Sequence, residues 1–194
     1  MKKESQVIFD KNVIEFVTVA AEFCAFLERA ESMKRSTFVD TTLKILPLLY
    51  LKASMLPKCE MIGDESPETY VTEEIYEVLR INLASILAEK DDYLEVFLPD
   101  MAYSDEPIKK NISEDLADIY QDIKDFIFVF QLGLNETMND SLAICQENFG
   151  LLWGQKLVNT MRALHDVKYS PKARGEDEEE EEYEPENNED CHCE

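Results

Sequence analysis

Apolar side chains recur along this chain at steps of three and four residues, the spacing that lays a stripe down one side of a helix. The first stripe is Val13, Phe16, Ala20, Phe23 and Leu27, with Val19 and Phe26 beside it. It predicts a helix over residues 10–30, with Asp10 capping the first N–H groups. Cys24, at the stripe's edge, reads as a small buried hydrophobe. A second helix is predicted over 36–55, and Pro47 inside it should kink or divide it. "PKCEMIGDESPETY", Pro57 to Tyr70, the longest internal connection, reads as a plain connecting loop that leaves Cys59 exposed, with a lid as the alternative.

A third helix is expected from Thr72, a capping residue followed by Glu73 and Glu74, which suit the positive end of the helix dipole. Ile75, Val78, Leu79, Asn82, Leu83, Ile86 and Leu87 form its inner face. The pattern then shortens. "DDYLEVFLPD" predicts a helical turn or a short further helix, and "MAYSDEPIKKN" a loop. Ser113 is the expected cap of a fourth helix, whose stripe is Leu116, Ile119, Tyr120, Ile123, Phe126, Ile127 and Phe130. The fifth and longest helix is predicted over 136–167 and is apolar on two sides. Leu142, Phe149, Trp153, Leu157, Thr160 and Leu164 share one side; Ile144, Leu151 and Val158 share nearly the opposite one. Such a helix lies either at the centre of a bundle or against a second subunit. The central placement is preferred, with Gly150 and Gly154 admitting a neighbouring helix.

No strand-length alternating run bounded by turn residues interrupts this pattern. The expected fold is therefore all-α: a bundle of five to six helices over residues 1–170. Residues 171–194 carry high charge and almost no apolar content, which predicts a disordered acidic tail.

Charge narrows the partners. The formal net charge is −23; from Gly175 to Glu194 there are 12 acids and no base, leaving 30 acids against 19 bases elsewhere. Both parts are acidic, which disfavours nucleic acid and anionic membrane surfaces. "LKILPLLYLKASML", the most apolar stretch, is too short to span a bilayer and contains Lys44 and Lys52. Five cysteines without a secretory signal predict a reducing, cytoplasmic setting.

Candidate chemistry is sparse. Asp118, Asp122 and Asp125 stand at steps of four and three, a row of carboxylates suited to Mg²⁺ or Mn²⁺. They lie opposite the Ile119, Ile123, Phe126 stripe, so they are expected in water. Acid pairs three apart (Glu28/Glu31, Glu74/Glu77, Asp115/Asp118, Asp122/Asp125) have the spacing used by all-helical nucleotide pyrophosphatases. A divalent-metal phosphohydrolase of that type is the alternative function. His165, near Arg162 and Asp166, reads as a packing or capping residue at a helix C-terminus. The terminal Cys191, His192 and Cys193 are natural ligands for Zn²⁺ or another transition metal. They are adjacent and close the tail, so the expectation is a plain tail, with weak metal capture as the alternative and no other cofactor.

"VIEFVTVAAEFCAFLERAE", "LKILPLLYLKASML", "DLADIYQDIKDF" and "NFGLLWGQKLVNTMRALH" together resemble an uncharacterised bacterial family, a domain of unknown function found mainly in the Bacteroides group. The resemblance covers Val7 to Val167. It implies an all-helical intracellular domain and no particular activity. Polar residues within those segments are the candidate surface or pocket residues: Tyr50, Asp118, Tyr120, Trp153, Arg162 and His165, with Asp122 added from its spacing. The functional expectation is a non-catalytic interaction or regulatory module. Its partner would be another protein, one with a basic surface, and the chain itself a monomer or a homodimer through the fifth helix.

Overall fold

The computed structural model describes residues 7–95 and 108–170. Over them the chain forms α1 (Lys11–Glu28), α2 (Arg35–Ser54), α3 (Glu73–Leu87), α4 (Ile112–Gln131), α5 (Asn135–Asn148) and α6 (Gly154–Tyr169). A π turn, Phe149–Trp153, joins α5 to α6 into one rod, which is the long fifth helix the periodicity predicts. The all-α bundle of five to six helices is thus the fold. The acidic tail and its Cys191-His192-Cys193 tip lie outside the described residues.

Helix starts follow the capping chemistry with one exception. Asp10 Oδ1 accepts from Asn12 N at 2.8 Å, and Thr72 Oγ1 accepts from Ile75 N at 3.3 Å. Ser113 is not the cap of α4. It lies inside the helix, fully buried, and the capping acceptor comes from elsewhere in the chain. Asp91 takes Ile112 N on its carbonyl at 2.8 Å, Ser113 N on Oδ1 at 2.7 Å and Ser113 Oγ on Oδ2 at 2.7 Å.

The short helix expected within "DDYLEVFLPD" is instead a strand over the residues described there. β1 (Asp92–Leu94) pairs antiparallel with β2 (Lys109–Asn111), Asp92 opposite Asn111 and Leu94 opposite Lys109. So short a run cannot repay the cost of nucleating a helix, and pairing with a neighbour satisfies its backbone instead. Asn111, expected in a loop, belongs to this ladder.

Pro47 does not divide α2, which runs unbroken from Arg35 to Ser54. The ring stands on the exposed side, while Leu46 and Leu49 are fully buried. The helical bond that Pro47 cannot make, to the Leu43 carbonyl, is lost on the outside, where the core does not depend on it.

The central helix is α4, which packs against α1, α3, α5 and α6. This corrects the expectation that the fifth helix holds the centre. The rod's first stripe is buried as predicted, with Leu142, Trp153, Leu157 and Leu164 at 0% exposure. Its second stripe is not: Leu151 is 71% exposed and Val158 45%, with Ile144 half-buried. A π turn adds a residue to one turn and breaks the seven-residue phase that made the second stripe look continuous. The glycine pair is explained by the same turn. Gly154 donates its N–H to the Phe149 carbonyl five residues back, and a Cβ at Gly154 would lie 2.3 Å from that oxygen. At Gly150 a Cβ would meet open space. Neither glycine admits a second helix.

Candidate functional site

Two concave regions lie on either side of the rod, and they differ in chemistry. The first is a cleft of about 470 Å³ between α4, the rod and the loop before α3. Asp118, Asp122 and Asp125 line it, together with Glu68, Asn148, Lys156 and the apolar walls Phe126, Val129, Ile144 and Leu152. The three aspartates were expected to face water. Because α4 is central, its second face is covered as well, and each carboxylate has partners. Asp125 Oδ1 accepts from Tyr70 N at 2.7 Å and Val71 N at 2.8 Å. Asp122 Oδ1 accepts from Asn148 Nδ2 at 2.6 Å. Asp118 accepts from Tyr76 Oη at 2.8 Å and pairs with Lys156.

Burial governs the electrostatics here. It pushes the Asp122 carboxyl above its ordinary value, with Asp125 and Asp118 adding in the same direction and the Asn148 bond opposing. It raises Asp125 too, against the pull of the Val71 and Tyr70 N–H groups. Asp115 is buried beneath Tyr93, whose hydroxyl donates to it, and is again raised chiefly by burial. The Tyr76 phenol is raised by burial and by the adjacent Asp118 carboxylate.

The loop from Pro57 to Tyr70 is more than a connector. Asp140, 3% exposed, accepts Ile62 N on Oδ1 at 2.7 Å and Gly63 N on Oδ2 at 2.9 Å. Asn139 Nδ2 donates to the Glu60 carbonyl at 2.8 Å, and Gln146 bridges the Leu56 and Pro57 carbonyls and Cys59 N. Cys59, expected exposed, is half-buried with its thiol donating to Asn139 Oδ1 at 3.3 Å, and burial raises its pKa. These α5 anchors went unread in the sequence. Their signal was present: "NDS", Asn139 to Ser141, puts three consecutive polar residues where the bundle's inside should be apolar, and all three are buried.

The second region is an open groove between α2 and α6, lined by Leu43, Pro47, Tyr50, Val158, Met161, Arg162, His165 and Tyr169. Arg162 donates to the Leu94 carbonyl at 2.6 Å, and the exposed His165 ring lies 4.6 Å from the Tyr169 ring. Tyr50 meets the Phe149 ring edge-on at 5.2 Å.

The remaining candidates serve the core. Tyr120 is 2% exposed and donates to Glu28 Oε1 at 2.8 Å, which Lys124 also engages at 2.5 Å. Trp153 is fully buried against Phe16 and Phe149, its indole N–H donating to the Cys145 carbonyl at 3.1 Å. Glu77 closes a two-pronged pair with Arg80 at 2.7 and 3.2 Å. Among the described residues, no three His, Cys, Asp or Glu side chains are grouped to hold a metal ion. Nor, among them, is any helix long and apolar enough to cross a membrane.

Comparison with known proteins places the fold. A solved structure, protein BF1032 from Bacteroides fragilis, is similar over 87% of this chain and 99% of its own, at 93% identity and a TM-score of 0.79. No curated protein matches. The family profile of the domain of unknown function DUF5063 matches residues 7–170, the whole of the described bundle. The chain belongs to that family.

Proposed function

We propose that the chain is a cytoplasmic, non-catalytic protein-interaction module that receives its partner on the face formed by α2 and the π turn–α6 half of the rod. The observation that carries this reading is a run of solvent-facing apolar side chains. On α2 they are Leu48, Tyr50, Leu51 and Met55, 40–51% exposed; on the rod they are Leu151 and Val158, 71% and 45% exposed. Residues 45–51, "ILPLLYL", carry no charge on any side of α2, the composition of a helix that is covered all round. Apolar surface left open in this way marks an interaction site. The net charge of −23 belongs to the chain as a whole, so a basic surface on the partner would engage acidic residues outside this face, whose helices α2 and α6 carry six bases against two acids.

The test is capture from native lysate with the wild-type chain, followed by rebinding of the purified partner to wild type and to a Leu51→Asp/Val158→Asp variant. Both side chains are exposed, so the variant should keep its helical circular dichroism and lose at least tenfold in affinity. Equal affinity for both proteins would refute the face. Sedimentation of the chain alone, with a species of twice the mass that the variant abolishes, would make the partner a second copy.

A further inference from the structure

We propose that residues 64–69 form a lid over the cleft beside α4, hinged between two fixed points and opening without unfolding the bundle. The fixed points are chemically alike. On one side a single carboxylate, Asp140, accepts two successive backbone N–H groups, Ile62 and Gly63. On the other, Asp125 accepts two more, Tyr70 and Val71, at 2.7 and 2.8 Å. Backbone bonds to a carboxylate are among the stronger ones a loop can make. Each anchor is locked further. A Cβ at Gly63 would lie 2.7 Å from Asp140 Oδ2, so a side chain there would push the carboxylate away from the two N–H groups. The Tyr70 ring stacks on Phe128 at 4.7 Å, with Lys124 Nζ 5.5 Å from its centroid.

Between the anchors the situation reverses. Among the described residues, Asp64 to Thr69 take part in no hydrogen bond or ion pair. All are exposed except Pro67, which is half-buried, and Ser66 to Thr69 form a wall of the cleft. A segment with few contacts and no backbone bonds, held between rigid ends, is the element of lowest local stability in its neighbourhood. Its displacement would uncover the cleft while both anchors stay in place.

Two cysteines of equal burial supply the test. Cys145 lines the cleft and Cys24 lies in the core between α1 and its neighbours; each is 2% exposed, and burial raises both thiol pKa values, that of Cys24 to about 12. The full-length protein is treated with N-ethylmaleimide under native conditions, and labelling of each cysteine is followed by peptide mass spectrometry. The lid predicts that Cys145 reacts at least tenfold faster than Cys24. Asp125→Asn or Gly63→Ala, each of which weakens one anchor, should speed Cys145 several-fold further and leave Cys24 unchanged. Equal rates at the two sites in the wild type, or anchor variants that accelerate both sites in parallel, would mean that access comes from opening of the whole bundle and would overturn the proposal.

Discussion

On one side the rod of α5 and α6 closes over carboxylates; on the other it leaves leucines in water. The α4 cleft holds half-buried Asp118, Asp122 and Asp125, while Leu151 on the same rod is 71% exposed. Polarity therefore does not predict depth here. What does is the supply of partners. Each of these three aspartates has a donor on a facing element, and the α5 residues Asn139, Asp140 and Gln146 use their side chains to hold a loop. Leu151, by contrast, lines neither hollow. A buried polar group is tolerated when it is satisfied, and its removal is then costly. An exposed apolar group is tolerated at almost any position, and its removal costs little until a partner covers it.

The largest consequence falls on the polar side. Asp140→Ala strips the acceptors from two backbone N–H groups and should lower the unfolding free energy by about 3 kcal/mol in a urea titration. A loss below about 1 kcal/mol would show that water replaces the carboxylate and that the loop is held by Gln146 and Asn139 instead. Next comes the seam between the two sides. Gly154→Ala drives a methyl into the Phe149 carbonyl and should cost about 2 kcal/mol. Gly150→Ala, facing open space, should be neutral or stabilise by up to about 1 kcal/mol through helix propensity. Equal effects at both glycines would argue against the π turn.

A smaller effect appears on titration. Burial holds Asp115, Asp122 and Asp125 above their unfolded values, so their ionised forms oppose folding. That penalty is complete at neutral pH and fades as the pH falls through the raised values toward the ordinary carboxylate range near about 4. Asp40 works in the opposite sense. Lys168 and then Lys44 hold its carboxyl down to about 2, so its contribution is present above about 4 and lost only in stronger acid. Thermal melts should therefore show maximum stability at about pH 4–5, not at neutrality. A melting temperature that falls steadily from pH 7 downward would contradict the burial of the cleft carboxylates. The smallest effect is on the apolar side: Leu151→Asp should change stability by less than about 0.5 kcal/mol. A loss above about 2 kcal/mol would reveal that Leu151 is covered, by a second copy or otherwise.

Most of the fold was legible because helices announce themselves locally. Val13, Phe16, Ala20, Phe23 and Leu27 on α1, and Leu116, Ile119, Ile123 and Phe126 on α4, are buried as their spacing requires. The caps at Asp10 and Thr72 were readable for the same reason, since donor and acceptor lie within three residues. What was not legible depends on residues far apart in the chain. Asp91 caps α4 from 22 positions before Ser113, and Asp140 reaches Ile62 across 78. The row of three aspartates was visible, but its environment was not. Whether α4 has one covered face or two is decided by the number of its neighbours, which no helical wheel contains. The π turn was hidden in the same way, because an extra residue in one turn leaves composition unchanged and alters only phase.

The small ladder of β1 and β2 has a use of its own. Glu95 N donates to the Ile108 carbonyl at 2.9 Å, so the ladder holds together the two ends of the connection between α3 and α4. Closure of such a connection costs only about 0.6 kcal/mol for each doubling of its length. Lengthening the connection between Glu95 and Ile108 should therefore cost the fold little. An epitope, a fluorescent reporter or a small folded domain could be mounted there, and the bundle would serve as its pedestal.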